Sequence, residues 1–111
     1  IRFMVNLDMI GRNADQAVRV SGRGVDERLR SRLEASAEAL DLKWTFVGSG
    51  PSSANSDYGP FMEAGIPFVS FFTGEHADYH EVSDHADRLE YRRMEHLVRW
   101  VAEALETIAS R

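Results

Sequence analysis

Hydrophobic and polar positions alternate along the chain in blocks that predict strands and helices in turn. Short apolar or alternating stretches predict four strands, over residues 2–7, 17–21, 42–47 and 67–73. Longer stretches with apolar residues at helical spacing predict helices over residues 27–40 and 91–109. Strands that alternate with helices favour an α/β layered fold, and the nearly all-apolar segment 67–73 is typical of a central strand covered on both faces.

Capping and turn residues set the expected ends of two of the helices. Asp26 is placed to cap the first long helix. Ser56 or Asp57 is expected to cap a short helix that has Pro60 in its first turn. Gly65 is expected to end that short helix, because glycine readily adopts the left-handed conformation found there.

The longest helix carries a broad apolar stripe. Its members recur at helical spacing and are expected to face the core: Met94, Leu97, Val98, Val101, Leu105 and Ile108. Trp100 is expected to be half-buried on the same helix. Before the short helix, segment 48–55 is rich in Gly, Pro, Ser and Asn and therefore predicts a loop.

The composition is that of one globular domain. The chain has 111 residues, of which 43% are apolar and 28% charged. Its net charge of −5 argues against a nucleic-acid partner, which would require a basic surface. No apolar run approaches the roughly 18 residues that a membrane-spanning helix needs. Because the chain has no cysteine, any metal ion would have to be held by histidine and carboxylate side chains.

The first residue, Ile1, opens directly onto an apolar strand pattern, without a methionine, a tail or a signal peptide before it. We therefore expect residues 1–111 to form a single domain that belongs to a longer polypeptide. A sheet that continued in the rest of that polypeptide would leave an edge strand and apolar surface exposed here, which favours self-association.

Two polar clusters directly follow apolar strands, at Asn6–Gly11 and at Glu75–Asp84. In open α/β sheets, ligands bind beyond the carboxyl ends of the strands, so both clusters lie where a site is expected. Asp8 and His80 have the side chains that bind zinc or a similar cation. The structural alternatives are a turn-capping role for Asp8 and an ordinary surface position for His80.

Three segments, NLDMIGRN, SDYGPFMEAGIPFVSFFTG and DYHEVSDHAD, resemble in this order the C-terminal half of the zinc-dependent aminopeptidase superfamily. That group includes bacterial leucyl-type aminopeptidases, glutamate carboxypeptidases and glutaminyl cyclases. The resemblance covers nearly the whole chain, from Asn6 to about Ala109. It implies the C-terminal part of a three-layer α/β/α sandwich with a mixed sheet, two zinc ions as cofactors, a peptide substrate and an exported, periplasmic or secreted protein.

The resemblance also implies roles for individual residues. Asp8 corresponds to a ligand of one zinc ion and His80 to a ligand of the other. Tyr79 corresponds to a tyrosine that donates a hydrogen bond to the oxyanion of the reaction. Asp57 matches an aspartate close to the site, on the substrate side or behind the ligands. Tyr58 stands where the family commonly has histidine.

The loop that carries His80 ends at Asp84, which fits the last position of the family's Y-H-x-x-x-D motif and is expected to order that loop. The same half of the fold occurs in aminopeptidases, carboxypeptidases and glutaminyl cyclases. The three segments therefore favour a metallo-aminopeptidase and leave a carboxypeptidase-type or cyclase-like enzyme as the alternative.

In the family, an H-x-D motif and an adjacent pair of glutamates supply the remaining ligands and the general base. This chain has no Glu-Glu pair, and no H-x-D precedes Asp8. The two HAD segments, His76–Asp78 and His85–Asp87, lie in a different part of the chain and are interpreted as loop and helix-start residues. We therefore expect this polypeptide alone to bind zinc only weakly and to lack peptidase activity. A non-catalytic interaction module that keeps the fold is the alternative from another class.

Overall fold

A four-stranded mixed sheet forms the centre of the molecule, as seen in a computed structural model that describes residues 1–49 and 56–110. The strands are β1 (Met4–Asp8), β2 (Val18–Arg23), β3 (Trp44–Phe46) and β4 (Phe68–Phe72), and they lie in the order β1-β4-β2-β3. β1 is parallel to β4 and β2 is parallel to β3, whereas β2 and β4 are antiparallel. The predicted α/β fold with a mixed sheet is confirmed. Most of the loop predicted over 48–55 lies outside the described residues.

In the described part of the chain, three helices flank the sheet: α1 (Glu27–Ala39), α2 (Gly59–Glu63) and α3 (Tyr91–Ala109). A single 3-10 turn, Ala86–Arg88, precedes α3. α1 begins as predicted, because the Asp26 carboxylate accepts a hydrogen bond from the Leu29 backbone N–H at 2.9 Å. None of the helices in the described ranges has the length and apolar character required to cross a membrane.

The expected cap of α2 is wrong. The residue at its N-cap position is Tyr58, one or two residues later than predicted, and no side chain caps the helix. Pro60 does lie in the first turn, where its missing N–H is tolerated. The helix ends at Glu63, shortly before Gly65, whose φ of 73° is the left-handed conformation expected there.

One face of the sheet packs against α1 and α3 and forms the main core. The fully buried Trp100 lies at its centre, with its ring edge-on to Phe71 and to Trp44. Its indole N–H donates to the Leu33 carbonyl at 2.8 Å, which satisfies the one polar group that its burial takes from water. The expectation of a half-buried Trp100 is therefore wrong, because the ring fills the space between two helices and the sheet.

The predicted stripe of α3 is wider than the face that the helix buries. Leu97, Trp100, Val101 and Ala104 are its buried residues. Val98 and Leu105 remain 52% and 46% exposed. The buried face is centred on Trp100, so residues at the margin of the stripe point away from the sheet.

The opposite face of the sheet is partly polar. Side chains alternate along a strand, and Met4, Asn6 and Asp8 of β1 therefore share this face. α2 covers one end of it, where Met62 and Tyr58 pack with Met4 and Phe68. Further along β1, the buried Asn6 amide donates to the Ser70 hydroxyl at 3.1 Å. Asp8 lies at the exposed carboxyl end of this row, beyond the part that α2 covers.

Candidate metal-binding site

An open cavity of about 530 Å³ lies at the carboxyl ends of β1 and β4. The two strands are parallel and end in register, with Asp8 beside Phe72, so the segments that follow them leave the sheet at the same edge. The turn after β1 lines one side of the cavity and the loop after β4 lines the other. The lining residues are Asp8, Met9, Ile10, Gly11, Arg12, His76, Tyr79, His80, Asp84, Leu89 and Met94.

Asp8 and His80 therefore face a common cavity, although they lie in different halves of the sequence. Both residues are exposed, so each can be reached from the cavity. Tyr79 and Asp84 line the same cavity. Asp57 is exposed between Ser56 and Tyr58 and is not part of the lining.

The turn that follows Asp8 is held in an unfavourable backbone conformation. Met9 has a φ of 54°, in the left-handed region that costs a residue with a side chain about 1 kcal/mol. Its carbonyl accepts hydrogen bonds from the buried Thr73 hydroxyl at 2.5 Å and from the Thr73 backbone N–H at 3.4 Å. These bonds tie the end of β1 to the first residue after β4, which fixes the direction in which the chain leaves Asp8.

His80 is also in the left-handed region, with a φ of 55°. Histidine adopts this conformation more readily than most residues, and such positions are common at functional sites. The Tyr79 ring stacks on the imidazole, with ring centroids 4.0 Å apart and an angle of 30° between the planes. The stacked pair presents the imidazole and a phenol side by side at the wall of the cavity.

The buried residue Asp78 immediately precedes Tyr79 and His80 in the sequence. It accepts hydrogen bonds from the Ser83 hydroxyl at 2.6 Å, from Arg12 at 2.7 Å and from Arg88 at 3.0 Å. The bonds from Ser83 and Arg12, together with the charge of Arg88, hold the pKa of the Asp78 carboxyl well below its usual range. The residue is only 5% exposed and is ionised at neutral pH, so these donors replace most of the water that would otherwise solvate its charge.

Sequence reasoning missed Asp78, since the HAD segment that contains it was interpreted as ordinary loop. Asp84, the residue expected to order the loop, is exposed at the cavity, and its backbone N–H donates to the Glu81 carbonyl. Asp78, rather than Asp84, is the carboxylate of this loop that pairs with the turn after β1, through Arg12. No local pattern marks it, because one of its partners, Arg12, is 66 residues away.

A second, smaller cavity of about 320 Å³ lies on the polar face of the sheet, on the other side of Asp8. It is lined by Asp8, Arg19, Ser21, Val47, Ser56, Tyr58, Ser70 and Phe72. Tyr58, which stands where the resemblance leads one to expect histidine, is buried and stacks on Phe68 at 4.6 Å. Burial, and to a lesser extent the negative charge of Asp8, raises the pKa of the Tyr58 phenol. The phenol is therefore harder to ionise than that of an exposed tyrosine.

The donor atoms at the larger cavity are of the kinds that zinc binds, a carboxylate oxygen and an imidazole nitrogen. Zinc in proteins takes three or four such ligands. Within residues 1–49 and 56–110, no group of three or more His, Asp or Glu side chains is arranged to hold a metal ion. The described residues thus provide donor atoms that suit zinc. They provide fewer of these donors than a complete zinc site requires.

Comparison with known proteins identifies the family. The sequence model of Peptidase family M28 matches residues 1–105, which is nearly the whole chain. Comparisons with curated proteins and with solved structures gave no match. Members of this family are zinc metallopeptidases that typically bind two zinc ions. The match confirms the resemblance carried by the three sequence segments, and the chain belongs to Peptidase family M28.

Proposed function

We propose that this chain is the C-terminal part of a zinc aminopeptidase and supplies one ligand to each of two zinc ions, Asp8 to one and His80 to the other. The observation that carries the proposal is that the turn after β1 and the loop after β4 bring these side chains to one cavity. The proposal assigns the remaining ligands and the general base to residues outside the described ranges. Membership of the family implies a peptide as the substrate.

Zinc bound at this cavity would supply a Lewis acid for the carbonyl of the scissile peptide bond and a water molecule that ionises near neutral pH. Asp8 and His80 would hold the ions at the edge of the sheet, where the Thr73–Met9 and Arg12–Asp78 hydrogen bonds join the two segments. The Tyr79 phenol, stacked on the His80 ring at the cavity wall, donates a hydrogen bond to the oxyanion that develops on the substrate carbonyl. Asp57 remains a candidate on the substrate side of the site.

A carboxypeptidase-type or glutaminyl-cyclase-like enzyme would use the same two ligands, so these residues favour neither over an aminopeptidase. A non-catalytic interaction module is the alternative from a different class. The joint presence of Asp8, Tyr79 and His80 at one cavity favours an enzyme, because a scaffold requires none of them there.

Zinc titration of this chain, followed by NMR, tests the proposal. We expect zinc to shift the His80 ring resonances and the Met9 amide, with a dissociation constant weaker than about 1 µM, because one donor from this chain forms only part of the site of each ion. Asp8→Asn should abolish the response at Met9, and His80→Gln, which removes the ring itself, should abolish the response of the neighbouring Tyr79 and Glu81 amides.

His96→Gln is the matched control, since His96 lies on α3 and does not line the cavity. This variant should respond to zinc as the wild type does. Zinc-induced shifts that persist unchanged in both Asp8→Asn and His80→Gln would contradict the proposal. So would tight, submicromolar binding that neither substitution weakens.

A further inference from the structure

We propose that Asp78 is a positioning residue that fixes the two ligand-bearing segments of the cavity relative to each other. One segment is the turn after β1, which carries Asp8, and the other is the loop that carries His80. The inference rests on the proposed function for the role of these ligands. Its physical basis, the link between the segments, is independent of any metal.

The two oxygens of the Asp78 carboxylate serve different segments. Oδ2 accepts from the Arg12 guanidinium at 2.7 Å, and Arg12 belongs to the turn that follows Asp8. Oδ1 accepts from the Ser83 hydroxyl at 2.6 Å and from Arg88 at 3.0 Å, both on the His80 side. One buried side chain therefore joins the two walls of the cavity, with one oxygen directed to each.

Arg12 is well suited to make this link. Its side chain is only 21% exposed, and the same nitrogen that reaches Asp78 lies 3.4 Å from Nδ1 of His76. The Asp78 backbone N–H donates to that same His76 nitrogen at 3.2 Å. Arg12, His76 and Asp78 thus form a closed set of contacts behind the cavity wall.

The link acts close to the predicted ligand. Asp78 is buried, whereas Tyr79 and His80, the next two residues, are exposed to the cavity. An anchor two residues away limits how far the backbone at His80 can move relative to the turn after β1. Partners behind a metal ligand commonly change metal affinity by 10–100-fold when they are removed.

The base of the loop is attached separately. Asn13 donates from its side-chain amide to the Thr73 carbonyl at 3.1 Å and to the Glu75 carbonyl at 2.9 Å. Loss of the Arg12–Asp78 contact therefore leaves residues 73–75 in place and frees the part of the loop that carries His80. The expected effect is on the geometry of the cavity, with the fold retained.

Asp78→Asn separates the two functions of the carboxylate. The amide keeps one acceptor oxygen, which the paired donors Ser83 and Arg88 will hold, and it turns its NH2 group toward Arg12. A guanidinium cannot donate to an NH2 group, so the contact between the segments is lost while those within the loop persist. Arg12→Met removes the same contact from the other side.

In the metal-free chain, we expect Asp78→Asn and Arg12→Met to shift or broaden both the His80 ring resonances and the Met9 amide. In the zinc titration, both variants should weaken apparent binding by 10–100-fold, and the double variant should be no weaker than either single one. Arg12→Lys, which keeps a donor and the charge, should restore most of the affinity. Asp87→Asn, an exposed carboxylate on the neighbouring 3-10 turn, is the control and should match the wild type.

A role confined to fold stability would lower the melting temperature without a joint response of His80 and Met9 and without rescue by lysine. Unchanged metal-free spectra at both positions in Arg12→Met would overturn the proposal, as would zinc affinity within twofold of the wild type. If zinc shifts neither position in the wild-type chain, the proposed function fails. The metal-free spectra then still decide whether Asp78 links the segments.

Discussion

At the cavity that Asp8 and His80 line, two residues have unusual backbone conformations that buried polar side chains support. Met9 and His80 both adopt left-handed backbone conformations, one directly after Asp8 and the other at the predicted ligand itself. Conformations of this kind persist only where surrounding contacts impose them. Thr73 supplies such contacts for Met9, and the bonds of Asp78 hold the segment before His80. The exposed side chains of the cavity thus depend on buried polar residues behind them.

The depressed pKa of Asp78 predicts how stability responds to acid. A carboxyl whose pKa is lowered by folding adds stability that is complete above its ordinary pKa, about 3.9, and is lost as the pH falls through the folded-state value. We expect the melting temperature of the wild type, followed by circular dichroism, to fall more steeply from about pH 4 to pH 2 than that of Asp78→Asn.

Asp87→Asn serves as the control for this comparison and should follow the wild-type curve, because Asp87 is an exposed carboxylate nearby. Parallel curves for wild type and Asp78→Asn would show that Asp78 does not titrate with a lowered pKa.

At the level of elements, the packing of α3 depends on which of its apolar residues face the sheet. Val101 is buried in the main core, whereas Val98, one turn earlier, is 52% exposed. Val101→Ala should lower the free energy of unfolding by roughly 2 kcal/mol, because it removes buried methyl groups and leaves a cavity. Val98→Ala should change it by less than about 0.5 kcal/mol. Urea unfolding of the two variants measures both values, and equal losses would contradict the observed orientation of α3.

The bounds of the helices could be predicted from the sequence more accurately than the side chains that each helix buries. The bounds of α3 and the Asp26 cap of α1 follow from local pattern and agree with the structure. Which part of the α3 stripe is buried depends on where Trp100 meets the sheet, and that contact involves distant residues. The short helix α2 has no side-chain cap, so its start could not be located from capping chemistry.

At the candidate site, too, local sequence identified some residues and could not identify one whose role depends on distant partners. Asp8 and His80 were identified by their position in recognisable segments. Asp78 was not, since its role comes from Arg12, which is 66 residues away, and from Arg88, which is ten residues away. Nothing in the local sequence distinguishes a buried, doubly ion-paired aspartate from a solvated one.

For the molecule as a whole, β1 is an edge strand of the sheet in the described residues. Leu7 on this strand is 40% exposed, and Val98 and Leu105 of α3 are exposed to a similar degree. Unpaired edges and exposed apolar side chains favour association, so self-association remains a prediction. Light scattering coupled to size-exclusion chromatography should show a molecular mass that rises with protein concentration. The rise should be smaller for the Leu105→Glu variant. A constant monomer mass would contradict it.

The central claim is that Asp8 and His80 act at one cavity, and the zinc titration tests it most directly. The account predicts that the Met9 amide and the His80 ring both respond to zinc in the wild-type chain, because each segment supplies a ligand to one of two neighbouring ions. A response at only one of the two segments, or at neither, would contradict it.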